Sequence, residues 1–217
     1  MRVAKFLSSV LSVSALQAMP LSLLAMPLAV LTVASPLATS VASAAQAKEA
    51  KELDFAPSEL RLWKDPESGQ HFWYFTYELV NNTGKEQRFA PRIELLVDDG
   101  RIVRQGDGVP TRVNRELKEF LGNPLLEDQF EIMGMVLQGK THAKTGLVVF
   151  RAEDLEPTEL TVMVQGLSKE TEKRPNPKTG EMVTLRKTAR IDYLVAGDPR
   201  PSGTETHPIV SRGWIFR

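Results

Sequence analysis

The chain has 217 residues with 27 basic and 27 acidic side chains and no cysteine. This excludes disulfides, thiolate metal sites, cysteine nucleophiles and lipid attachment at an N-terminal cysteine. Arg2 and Lys5 are the only charged residues before Lys48, so the remainder carries 25 basic against 27 acidic groups and has no electrostatic drive toward nucleic acid or an anionic membrane surface.

In chain order, the first element is an apolar leader. Arg2 and Lys5 precede a Leu/Val/Ala run that ends in Ala42-Ser43-Ala44 and Ala45-Gln46-Ala47, the small-x-small pattern of a cleavage site, and residues 1–47 are therefore expected to be an export signal peptide. Pro20, Pro27 and Pro36 divide the run into pieces shorter than a span of about 20 apolar residues, so membrane association is expected only if the leader is retained as an anchor. The predicted location is periplasmic or secreted. Residues 48–217 are read as one domain, long enough to bury roughly 70% of the surface its unfolded chain exposes.

That domain reads as strands. Trp73, Phe75, Tyr77 and Leu79 alternate with Tyr74, Thr76 and Glu78, which is the period-2 pattern of a half-buried strand, and Asn81-Asn82-Thr83-Gly84 is turn chemistry. Phe89, Ile93, Leu95 and Val97 share a face of the next strand, in which Pro91 predicts an edge or a bulge before the Asp98-Asp99-Gly100 turn. A short helix follows, with Val113, Leu117, Phe120 and Leu121 on one face, Thr111 or Asn114 as cap and Gly122 as stop, placed across one end of the sheets. Further strands are predicted at about 129–137, 144–151, 159–167, 181–195 and 208–216. Lys187 interrupts the inward set of the longest and marks a bulge. The Lys169 to Gly180 run, charged and broken by Pro175 and Pro177, is predicted to be a mobile hairpin loop. Seven to nine short strands with one helix call for an all-β, antiparallel, two-sheet β-sandwich.

Three segments carry a family resemblance: the aromatic strand running into its turn (Tyr74 to Gly84), the strand ending in the turn at Asp98 to Gly100, and Gln138 to Phe150, where Gly139 precedes a strand ending in Val149-Phe150. In these the chain resembles a secreted immunoglobulin-like β-sandwich family, typified by the mycobacterial immunoprotective antigen and by small uncharacterised exported bacterial domains. The resemblance implies fold and export and brings no catalytic residues with it.

Chemistry-bearing patterns are sparse. His71, His142 and His207 are too far apart in sequence for a two-imidazole motif, and no nucleophile elbow, Ser-x-x-Lys or phosphate-cradling loop is present. The carboxylate pairs Asp98-Asp99, Glu127-Asp128 and Glu153-Asp154 read as turns and loop ends rather than calcium ligands. No enzyme activity, cofactor or metal is expected. Phe72, Trp73, Tyr74, Phe75 and Tyr77 put aromatics on both faces of one strand. Trp73, Phe75 and Tyr77 are assigned to the core; Phe72 and Tyr74 either cover an adjacent loop or helix or form an exposed ledge for a protein partner or a sugar ring. Trp63 and Trp214 are assigned to packing at the two ends of the domain. The expected function is a non-catalytic module of the cell envelope that binds a protein or surface polymer, the alternative being a binder of a small ligand, carbohydrate or metal ion, with a hydrolase less favoured.

Overall fold

A computed structural model describes residues 51–217 except 154, 156, 196 and 198–204; the leader assigned to export lies outside the described residues. Fourteen strands and one α-helix run in the order β1 (Asp54–Pro57), β2 (Leu60–Lys64), β3 (His71–Val80), β4 (Gln87–Phe89), β5 (Arg92–Val97), β6 (Ile102–Arg104), α1 (Thr111–Leu121), β7 (Leu126–Glu127), β8 (Gly134–Val136), β9 (Lys144–Arg151), β10 (Glu159–Gln165), β11 (Thr171–Pro175), β12 (Met182–Leu194), β13 (Thr206–His207) and β14 (Ile209–Phe216).

Two six-stranded sheets stack into the sandwich that the strand periodicity called for. The first has the order β13-β2-β3-β9-β7, with β1 also paired to β3; the second has the order β11-β12-β10-β5-β6, with β14 paired to β12. Pairing between named strands is antiparallel except for β7 beside β9, and a small β4–β8 ladder lies apart. The sheets enclose one apolar layer: Trp73, Phe75 and Tyr77 from β3 meet Val162 and Val164 from β10 and Ile191 and Tyr193 from β12. Each fully buried side chain of this size contributes roughly 1.5–3 kcal/mol relative to exposure. Tyr77 stands directly across from Gly146 of β9, where an added Cβ would collide with the phenol ring. A glycine is required there because the ring occupies the space of the missing side chain.

The helix is where expected, but it does not cross an end of the sandwich. It lies on the outer face of the first sheet, where Val113 and Leu117 bury Phe72, Tyr74, Leu147 and Val149. Pro110, with φ −62° suited to a helix entry, precedes its first turn in place of a side-chain cap, and Gly122 ends it at φ 62° as anticipated. Phe120 stays 65% exposed because the face that meets the sheet is only two residues deep. Arg112 in the first turn clamps α1 to the β2–β3 turn through a two-armed pair with Asp65, whose carboxylate also accepts from the backbone amides of Glu67 and Ser68. These bonds hold the Asp65 carboxyl well below the usual carboxylate range, the Arg112 guanidinium being the largest cause.

Other expectations need correction. Pro91 is neither in an edge strand nor in a bulge: it separates β4 from β5, and β5 is interior, between β10 and β6. The run from Lys169 to Gly180 is not all loop, because β11 pairs with Met182 to Arg186 of β12. Its side chains face solvent and carry no apolar alternation, so ladder bonds and the Arg174–Glu172 pair organise it without a sequence signature. At Lys187 the irregularity is in the facing segment between β10 and β11: Val164 faces Ala189 and Thr171 faces Arg186, leaving 165–170 opposite only 187–188.

Two of the chain's passages between the sheets are short. Glu52 and Leu53 bond to Ser168 and Leu167 beside the second sheet before β1 joins the first, and β13 in the first sheet passes through Pro208 into β14 in the second. His207, at this second crossing, is buried against the Trp73 ring at 5.3 Å, and its Nε2 has no hydrogen-bond partner. Burial holds the imidazole below its ordinary value of 6.5, against the opposing field of Glu205. A depressed imidazole value means that the unfolded chain takes up the proton first. Stability is therefore expected to fall as pH drops through about 6.5 toward the folded-state value, and His207→Gln should flatten this limb in melting curves recorded across pH 7 to 5. An unchanged slope in the variant would assign the acid sensitivity elsewhere.

Candidate functional site at the open flank of the sandwich

The residues singled out as a partner-binding ledge are not at the surface. Phe72 is 0% and Tyr74 3% exposed, both roofed by α1, so the packing alternative holds and the ledge reading is withdrawn. The physical reason is the strand itself: β3 is apolar on both faces, and the outer face takes a helix as its cover. Trp63 packs beside Phe72 with rings 6.2 Å apart, as assigned. Trp214 does not follow its assignment, being 44% exposed.

Trp214 belongs to β14, which forms one edge of the second sheet. Arg186 and Arg217 exchange both backbone hydrogen bonds, and antiparallel pairing alternates such bonded pairs with non-bonded ones. Following the register from there, Ile215, Gly213 and Ser211 direct their amides and carbonyls at β12. Phe216, Trp214 and Arg212 direct theirs away from it, and among the described residues no strand meets them. Eight residues long, β14 contrasts with β6 at the opposite edge, which has three.

Because Trp214 faces Ala189 and Arg212 faces Ile191 across the ladder, these two side chains share the inner face of the sheet with the core. They project past the edge of the first sheet, which at this flank is β1. The result is a cleft of about 350 Å³ between β1 and β14, with Leu53, Phe55, Leu167, Ile191 and Trp214 in its walls. Arg212 reaches across to the Pro57 carbonyl at 3.3 Å, and the Tyr193 hydroxyl donates to the Ser58 carbonyl at 3.1 Å, so the two sheets are tied at this flank. At one end Lys187 lies 5.2 Å from the centre of the Trp214 ring while bonded to Glu52 and Glu170. Those carboxylates raise the lysine's value, Glu170 first.

The remaining candidates disperse. His71 opens β3, His142 lies in a turn before β9, and His207 is buried at the sheet crossing. Asp98 accepts from the Thr158 amide and hydroxyl, Asp99 binds Arg101, Glu127 binds Lys144, and Asp128 accepts from the amides of Phe130 and Glu131. Among the described residues no three His, Asp or Glu side chains converge as a metal site, and no helix is long and apolar enough to cross a membrane. Comparison with protein-family models, curated proteins and solved structures gave no match.

The two aromatic environments predict unequal costs of truncation. Tyr74→Ala empties a closed layer and is expected to cost about 3–5 kcal/mol, whereas Trp214→Ala, already half in solvent, is expected to cost about 1–2 kcal/mol. Denaturant unfolding of both variants checks this. A Tyr74→Ala protein as stable as the wild type would put that ring back at the surface.

Proposed function

We propose that this chain is an exported, non-catalytic binding module that takes an extended segment of a partner protein as an added strand on β14. The kinship with secreted immunoglobulin-like sandwiches, carried by the segments around Tyr74 to Gly84, Asp98 to Gly100 and Gln138 to Phe150, belongs to the same proposal. The observation that carries the reading is the alternation along β14: Arg212, Trp214 and Phe216 offer, along one line, backbone donors and acceptors that no described strand pairs. An open row of this kind is a template for an incoming strand, with the backbone supplying affinity and flanking pockets supplying selectivity.

The partner's chemistry follows from the cleft. A strand laid along β14 continues the second sheet past β1, so alternate side chains on its inner face sit over Leu53, Phe55 and Trp214. Apolar side chains at every second position fit that surface. The aromatic anchor is one of the residue types that dominate protein-binding energetics, and a half-exposed tryptophan over an apolar wall has no comparable counterpart among the core aromatics.

Backbone parity supplies the test. The Arg212 amide points to the open edge, so Arg212→Pro removes a docking donor and no ladder bond of the fold. Ile215→Pro removes a bond to β12 and is expected to cost about 3 kcal/mol or more. Cross-linked capture from envelope and secreted fractions should give a stoichiometric partner with the wild type, lose it with Arg212→Pro and with Trp214→Ala, and map the cross-link to β14. Equal capture by all three folded proteins, or a cross-link map that avoids β14, overturns the strand-docking reading.

A further inference from the structure

A second concavity lies on the other side of the Glu52–Ser168 bridge, and its lining is of one charge. It has a volume of about 280 Å³ and is bounded by Lys51, Arg88, Lys169 and Arg186, together with Gln87 and Ser168; among the described residues none that lines it is a carboxylate. The four cations come from separate parts of the chain: the entry to β1, β4, the irregular segment between β10 and β11, and the start of β12. Only the tertiary structure collects them.

Their bonding states differ in a way that matters. Lys51 lies 3.3 Å from Glu170, and the neighbouring Lys187 is bonded to Glu52 and Glu170. The local acids are thereby committed to two lysines. Among the described residues Arg88, Lys169 and Arg186 find no side-chain hydrogen bond, ion pair or ring contact, so three positive charges that no described acid opposes share one recess. Like charges facing one concavity repel each other when it is empty, and a recess walled by one sign of charge concentrates counter-ions. Ser168 Oγ accepts from the Glu170 amide, which leaves its hydrogen available to a ligand. The backbone shapes the floor: Gly166 has φ +97°, and an added Cβ would stand 3.0 Å from the Ala90 carbonyl, so the segment approaches β4 only with glycine at this place.

We infer that this recess is a binding site for a phosphate group, with Arg88 and Arg186 as its two forked donors, Lys169 as a mobile third charge and Ser168 as a hydroxyl donor. Guanidinium forks match two oxygens of a tetrahedral oxyanion, and charge-assisted bonds of this kind are about twice as strong as neutral ones. The multiple charge of a phosphate answers three cations better than a single carboxylate does. The volume falls just below the roughly 300–1,000 Å³ typical of drug-sized ligands, which suits a phosphate and the first atoms of what carries it. This site is independent of the strand-docking reading, since none of Arg88, Lys169, Arg186 and Ser168 lies on β14.

Calorimetric titration of the full chain with inorganic phosphate at low ionic strength tests the site. One saturable, salt-sensitive event is expected, with a sub-millimolar Kd that weakens about tenfold in Arg88→Gln and in Arg186→Gln. Arg115→Gln, an equal loss of charge on the exposed side of α1, should leave the Kd unchanged and so separates a built site from general attraction. Sedimentation with phosphatidylglycerol vesicles, against phosphatidylcholine controls, assigns the source. Pelleting that Arg186→Gln abolishes points to a lipid headgroup, and phosphate binding without pelleting points to a soluble phosphorylated ligand. Absence of saturable phosphate binding, or a Kd that the Arg88 and Arg186 variants leave unmoved, overturns the assignment.

Discussion

The double-sided burial of β3 is the constraint from which the rest of the architecture follows. One face, Trp73, Phe75, Tyr77 and Leu79, demands a second sheet; the other, Phe72 and Tyr74, demands a cover of its own. A sheet that is apolar on both faces must be enclosed between two layers, and here the second layer is α1. Its Asp65–Arg112 clamp fixes where the helix enters, so the layer stays seated although only Val113 and Leu117 go deeply into it. With its center occupied in this way, the first sheet has no free aromatic face left to present.

What remains open lies at the flank and follows from the way the chain changes sheets. Two short segments pass directly from one sheet to the other, at Glu52 to Asp54 and at His207 to Ile209. The second leads into β14, an eight-residue edge with its outward amides unmatched by the described residues. Natural sheets commonly blunt such edges with proline, charge or short length. Along β14 the only charge that faces the cleft is Arg212, which is partly engaged by Pro57. The edge proposed for strand docking thus lies where the layers fail to close.

The basic recess arises from the same irregularity. Residues 165–170 have too many positions for the two they face in β12, and the surplus backbone folds aside, carrying Ser168 and Lys169 toward Arg88. A bulge re-aims side chains that a regular ladder would direct alternately to either face. Lys187, the residue that breaks the inward apolar set, sits at the center of this region and holds Glu52 and Glu170. By occupying both acids it leaves the arginines beyond the bridge without a partner among the described residues.

The sequence by itself determined the strand-rich class, the paired faces of β3, β9, β10 and β12, the helix at Val113 to Leu121 and its stop at Gly122, because period-2 and period-3.6 patterns are written wherever one face is buried and the other is wet. It read β11 as a loop and was silent on β1, β2, β6, β7 and β13, each of five residues or fewer, too short to write a period, and ordered by backbone ladders with distant segments. It also left Phe72 and Tyr74 undecided between helix cover and open ledge, since an apolar face reads the same whether protein or a partner covers it. Tertiary structure alone decided that the helix takes that face, that Trp214 stands at an edge rather than in a packed end, and that Arg88, Lys169 and Arg186 share a recess. Each of these depends on contacts between residues tens of positions apart, and local periodicity carries no record of which distant segment arrives.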